Sequence, residues 1–135
     1  MIRFYKTDDN LSIVPIDGFE RRCWVEMINP TDDEVDDIRE LSGIPEEMLK
    51  AALDEEETAR AERDEDAFLC LLDTPTITDT DEGDTYETIP LALIYNSRCL
   101  VTVSLRGNPV LGDFISRRVT EDTSAPVHFI LTFMM

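Results

Sequence analysis

The stretch at 89–105, Ile-Pro-Leu-Ala-Leu-Ile-Tyr-Asn-Ser-Arg-Cys-Leu-Val-Thr-Val-Ser-Leu, constrains this chain more than any other. Two apolar runs flank a short polar break at Asn96, Ser97 and Arg98. Apolar runs of this length around turn-forming residues predict a β-hairpin. Positions 91–95 are apolar throughout, which predicts a strand covered on both faces. Positions 100–105 partly alternate, so one face of the second strand is expected to be wetter. A strand buried on two sides needs layers above and below it, so this hairpin is the expected centre of a sheet.

The rest of the chain supplies those layers. Ile2–Thr7 and 11–16 flank Asp8, Asp9 and Asn10 and predict an N-terminal hairpin. Cys23–Ile28 reads as a third strand, with Trp24 as a large core or interface anchor. Thr31 and Glu34 stand at capping-box spacing, and the acids that follow Thr31 suit the positive end of a helix dipole. Val35, Ile38 and Leu41 form the apolar stripe of that helix, and Gly43 is placed to close it. Pro45 opens a second helix with Met48, Leu49, Ala52 and Leu53 inward, breaking or fraying at the acids 54–57. Residues 58–66 read as an edge strand or a loop, 67–72 as a buried strand, and 73–87 as a turn-rich connection. A third helix is expected over 110–119, with Leu111, Phe114 and Ile115 inward. A last apolar segment, 127–135, ends without a polar turn, which suggests a fragment or a tightly docked end. This order predicts a mixed α/β (α+β) domain, its mostly antiparallel central sheet sandwiched by helices.

The chain has 135 residues, a one-domain length, and a net charge of −18. All of that excess is local: residues 31–87 hold 22 Asp and Glu against 4 Lys and Arg. Such a field repels nucleic acid and anionic lipid and attracts cations and basic partners. A plain solvated acidic surface would have the same composition. Cys23, Cys70 and Cys99 sit in apolar contexts without a Cys-x-x-Cys pair, so they read as small core residues in a reducing compartment. No apolar stretch reaches the ~18 residues of a membrane span.

Catalytic machinery is not legible. The single histidine, His128, lies in an apolar run and reads as a core or interface residue. Neither a phosphate-binding glycine loop nor a Gly-x-Ser-x-Gly elbow is present. An enzyme is not expected, and a metal-dependent hydrolase lacks its ligand motifs. Residues 79–84 resemble a calcium loop only superficially, because Gly83 falls where a ligand belongs and Asp84 where the turn glycine belongs. Mg²⁺ needs one or two carboxylates and keeps much of its water, so an acidic middle segment suits it without a motif.

The order of short motifs goes further. Trp24-Val25-Glu26-Met27-Ile28-Asn29-Pro30-Thr31 leads into Glu34, Val35 and Ile38. Leu41-Ser42-Gly43-Ile44-Pro45-Glu46-Glu47-Met48-Leu49 then precedes Ala52-Leu53-Asp54. Phe68-Leu69-Cys70-Leu71-Leu72 and Leu93-Ile94-Tyr95-Asn96-Ser97-Arg98-Cys99-Leu100-Val101-Thr102-Val103 complete the series. Over 24–105 this resembles the cytosolic N-terminal domain of the CorA family of divalent-cation transporters. The signal is the colinearity of the motifs, not any one of them.

The resemblance implies a homopentamer of the inner or plasma membrane, with this domain on the cytoplasmic side. In that family a stalk helix, two transmembrane helices and a Gly-Met-Asn pore motif follow, and Mg²⁺ between adjacent cytosolic domains holds the pore shut. None of those later parts is in residues 1–135, so these residues are expected to form a single, incomplete domain that conducts nothing alone. The family's inter-subunit site takes one carboxylate from the loop after the strand matching 67–72, and its partner from the stalk. Asp73, Asp79 and Asp81 are the candidates, with Asp79 preferred. Weak Mg²⁺ binding follows, with Co²⁺ or Zn²⁺ as alternative ions, and a mostly monomeric fragment. Solvated loop acids are the plain alternative for all three residues. The competing function is a stand-alone acidic module that binds a basic partner protein.

Overall fold

The computed structural model describes residues 1–7, 13–54, 59–80 and 83–106, with backbone alone for 75–80 and 83–87. The element order is β1 (Ile2–Thr7), β2 (Ile13–Ile16), β3 (Cys23–Ile28), α1 (Asp32–Ser42), α2 (Glu46–Leu49), a 3-10 turn (Ala51–Leu53), β4 (Arg60–Asp64), β5 (Ala67–Thr80), β6 (Gly83–Tyr95) and β7 (Cys99–Ser104). The strands form one seven-stranded sheet in the order β2-β1-β3-β7-β6-β5-β4. Every neighbouring pair is antiparallel except β3 with β7, which run parallel from Cys23 opposite Cys99 to Ile28 opposite Ser104. The expected hairpin is therefore β6–β7, and β7 is the middle strand.

The pleat sends alternate residues to opposite faces, and each face has its own core. Cys23, Val25 and Met27 of β3, with Val101 and Val103 of β7, pack under Val35, Ile38, Met48, Leu49 and Ala52 of the helical layer. On the opposite face Tyr5, Trp24, Leu91, Leu93 and Leu100 form a second buried cluster. The described helices cover the first face; the helix expected over 110–119 and the segment 127–135 with His128 lie outside the described residues.

Local chemistry explains where α1 begins and ends. The Glu34 amide donates to Thr31 Oγ1 at 3.2 Å, and the Thr31 amide donates to Glu34 Oε1 at 2.9 Å. At the other end Gly43 adopts φ 75° and its amide reaches the Arg39 carbonyl. A Cβ there would come within 3.2 Å of Arg98 Nη1, so glycine meets both a conformational and a steric demand. The buried carbonyl of Ser42 accepts from Asn96 Nδ2 at 2.7 Å. Asn96 Oδ1 in turn accepts from the amides of Arg98 and Cys99. One side chain thus ties the β6–β7 turn to the last turn of α1.

Four expectations need correction. Leu41 does not face inward; it is 45% exposed, and Ser42 takes the buried place. Ser42 can do so because its hydroxyl donates to the Ile38 carbonyl at 2.6 Å and accepts from the Ile44 amide. Strand β7 has no wet face: all six residues are buried, and Thr102 accepts a 2.9 Å bond from Trp24 Nε1. Cys70 is only half-buried, unlike Cys23 and Cys99. Finally, 73–87 is not a connection. Residues 73–80 and 83–87 are the outer parts of β5 and β6, paired in register from Asp73 opposite Pro90 to Thr80 opposite Gly83. Thr74, Thr76, Thr78 and Thr80 recur at every second position, and β-branched residues at that period favour a strand over a turn.

Of residues 58–66, expected as an edge strand or a loop, Arg60–Asp64 form an edge strand. β4 is short, charged and exposed, and β2 at the other edge carries Pro15. Both devices discourage pairing with further strands.

Candidate functional site

Strand β4 pairs with β5 only at 67–71, and β7 pairs with β6 only at 91–95. Beyond those limits, among the described residues, β5 and β6 pair only with each other, as a two-stranded arm described as far as Thr80 and Gly83. At ~3.4 Å per residue its eight paired positions extend about 27 Å. At its root the Thr74 hydroxyl donates to the Ile89 carbonyl at 3.1 Å, and both residues are buried.

The arm separates the three candidate acids. Asp73 is at the root, exposed and opposite Pro90. Asp79 is six residues further out, about 20 Å along the strand. The two therefore cannot share one ion. Asp81 lies outside the described residues.

Register adds a residue that sequence reasoning did not single out. Asp79 is directly opposite Asp84. Pro75 opposes Thr88 and Pro90 opposes Asp73, so both prolines sit at pairs of one parity. Proline has no N–H for a ladder bond, which suits the non-hydrogen-bonded class of antiparallel pair. Asp79–Asp84 shares that parity. Residues in this class approach to about 4.5 Å between Cα atoms, closer than in the hydrogen-bonded class. Like charges directly opposite are destabilising unless something positive lies between them. The only sequence signal for this pair was the alternating threonine pattern, which sets the strand and hence the register.

Elsewhere the acids already have structural work. Asp32, Asp33 and Glu34 fill the first turn of α1. The bond from the Thr31 amide holds the Glu34 carboxyl below its usual range, aided by the Met1 ammonium. Lys50 Nζ bridges Glu46 at 2.8 Å and Asp32 at 3.5 Å. Among the described residues no group of three or more His, Cys, Asp or Glu side chains converges on one point. The cysteines are poor soft-metal ligands: burial, reinforced by Cys23, pushes the Cys99 thiol up to about 12, and burial raises Cys23 and Cys70.

One carboxylate was hidden by its apolar strand. Glu26 is 5% exposed on the Trp24 face, opposite Arg3 of β1 and Thr102 of β7. Among the described residues its Oε1 has no hydrogen-bond partner. Burial pushes its carboxyl up, against the pull of the Arg3 charge and the Tyr5 hydroxyl. The Tyr5 ring lies 4.9 Å from that of Trp24. Trp24 is thus a core residue.

The family model for the CorA-like Mg²⁺ transporter protein matches residues 20–135. The solved soluble domain of CorA from Methanocaldococcus jannaschii superposes with a TM-score of 0.70 at 21% identity, covering 91% of this chain and 48% of that one. The complete CorA magnesium transporter of the same organism gives 0.65 at 21% identity, covering 87% and 36%. The ZntB cytoplasmic domain from Vibrio parahaemolyticus gives 0.63 at 10% identity, covering 86% and 49%. No curated protein sequence matches the chain. The structural likenesses establish a shared fold with the soluble domain of CorA, and this chain spans about half or less of each solved relative. By the family match, the chain belongs to the CorA-like Mg²⁺ transporter family, a family of transporters and not of enzymes. Among the described residues no helix is long and apolar enough to cross a membrane.

Proposed function

We propose that these residues form the cytosolic, ion-sensing domain of a Mg²⁺/Co²⁺ transporter, and that the arm carries its half of a regulatory cation site. The observation that carries this reading is the pairing of Asp79 with Asp84 near the arm's tip. Aspartates at opposed register positions bring hard oxygen donors to one place on the arm, and such donors suit Mg²⁺ better than the thiolate-preferring metals. Asp81 belongs to the same proposal by its place in the sequence between them; Asp73, about 20 Å away, does not. In a homopentamer on the cytoplasmic side of the membrane, an arm would meet acids of the adjacent subunit. A cation bridging them would favour one subunit arrangement over another, because like charges repel once it leaves. Regulation then follows from differential affinity for two arrangements.

The test is a Mg²⁺ titration of the 135-residue chain followed by amide NMR, with Co²⁺ as a competitor. Millimolar binding is expected, because half of the site is missing, and Asp79→Asn or Asp84→Asn should weaken it at least fivefold. Asp73→Asn should leave it unchanged. Shifts centred away from residues 79–84, or equal loss in all three variants, would sink the assignment. The isolated chain should sediment as a monomer.

A further inference from the structure

We infer that the groove between β1 and α1 is a docking site for a basic amphipathic helix of another protein, separate from the cation arm. Its floor is apolar, built from Ile2, Phe4, Ile38 and Leu41, and its rim is acidic, with Asp37 and Glu40 from α1. The cavity measures about 490 Å³.

Three observations converge on it. Among the described residues only two large apolar side chains are left exposed, Met1 at 46% and Leu41 at 45%. Leu41 lines the groove. Met1 adjoins it, since the next residue, Ile2, is in the floor and its own ammonium bonds Glu34 Oε1 at 3.1 Å. Second, neither Asp37 nor Glu40 forms an ion pair among the described residues, whereas neighbouring Asp36 pairs with Arg39 and Asp32 with Lys50. Third, the two free acids are three residues apart on one helix. They therefore stand about 4.5 Å apart along its axis, the spacing of Lys or Arg at i and i+3 on a facing helix.

Charge selects the occupant. A second copy of this chain brings its own net charge of −18, and an anionic membrane surface is repelled likewise. A divalent cation is not the natural ligand either, because no third ligand converges there among the described residues. A cationic helix with an apolar stripe satisfies both floor and rim, in the helix-in-groove mode.

The experiment uses a fluorescein-labelled 16-residue peptide with leucines at i, i+3, i+4 and i+7 and lysines elsewhere. Its control has the same composition in scrambled order. Fluorescence anisotropy should show the patterned peptide binding at least tenfold tighter than the scramble. Leu41→Ser should cost at least fivefold in affinity, and the double variant D37K/E40K at least tenfold with a flatter salt dependence. Circular dichroism confirms that both variants fold. Equal binding of patterned and scrambled peptides, or indifference to both variants, would mean generic attraction to an acidic surface and would overturn the proposal. So would a concentration-dependent dimer that Leu41→Ser dissolves, since the occupant would then be a second copy. The arm proposal has its own readout, the Mg²⁺ response of Asp79→Asn, which none of these outcomes changes.

Discussion

Replacing Asn96 by alanine should cost about 3 kcal/mol of stability. The side chain is nearly fully buried and makes four hydrogen bonds: to the Ser42 carbonyl at 2.7 Å, from the Arg98 and Cys99 amides at 2.9 and 3.1 Å, and a long, weak one from Cys99 Sγ at 3.9 Å. Alanine removes all four, and the thiol contact counts least. The Arg98 amide is part-buried and can turn to water, so its loss counts little. The Ser42 carbonyl and the Cys99 amide are buried, and a buried group left unpaired costs about 1–3 kcal/mol. Two such groups give about 2–6 kcal/mol, and the quoted figure lies in the lower half of that range. The Ser42 carbonyl has no substitute within α1, because the last carbonyls of a helix lack intrahelical donors. Urea unfolding followed by tryptophan fluorescence is the assay. With a slope of about 2 kcal/mol per M, the midpoint should fall by roughly 1.5 M at unchanged slope. A fall under about 0.5 M would refute the reasoning: water would then be satisfying both groups, and the turn would not depend on its tie to α1.

Thr102→Val removes the acceptor of the buried Trp24 indole and should cost about 1–3 kcal/mol by the same urea assay, while an unshifted midpoint would mean the indole finds another acceptor. Glu26→Gln should help folding more at pH 8 than at pH 5. The folded protein holds the Glu26 carboxyl above its usual range through burial, so Glu26 contributes stability at low pH that is lost as pH rises through the folded-state value. Glutamine does not titrate, so its advantage over the natural residue should grow with pH; a gap independent of pH would contradict the buried placement.

What was legible in the sequence was local. The Thr31–Glu34 capping box, the Gly43 stop, the turn at Asn96 and the strand at Cys23–Ile28 each depend on residues within a few positions of one another. Where the outcome depended on distant chain, composition misled. The arm was hidden because Asp, Thr, Pro and Gly are turn formers by frequency, although threonine at every second position carried the strand period. Leu41 was read as inward because it continues the apolar stripe, but α1 borders the open groove beside β1, and Ser42 fills the core position with its own helix satisfying the hydroxyl. Asp84 could not be singled out before the register of β5 on β6 was known. Glu26 was masked by the apolar strand around it.

The single parallel pairing, β3 on β7, has a consequence for how the chain reaches this structure. Strands β1 to β3 form one antiparallel group with β1 in its middle, and β4 to β7 form an antiparallel meander, each closing through shorter sequence separations than the seam between them. The seam between them joins residues 76 positions apart, with both helices in the intervening chain. Closing that long loop costs entropy before any pairing across it is gained. The seam should therefore form late and limit the folding rate. Substitutions at Val25 or Val101 would slow folding, whereas those in the edge strands β2 and β4 would mainly hasten unfolding. The middle strand of the finished sheet is thus the place where two separately assembled halves meet.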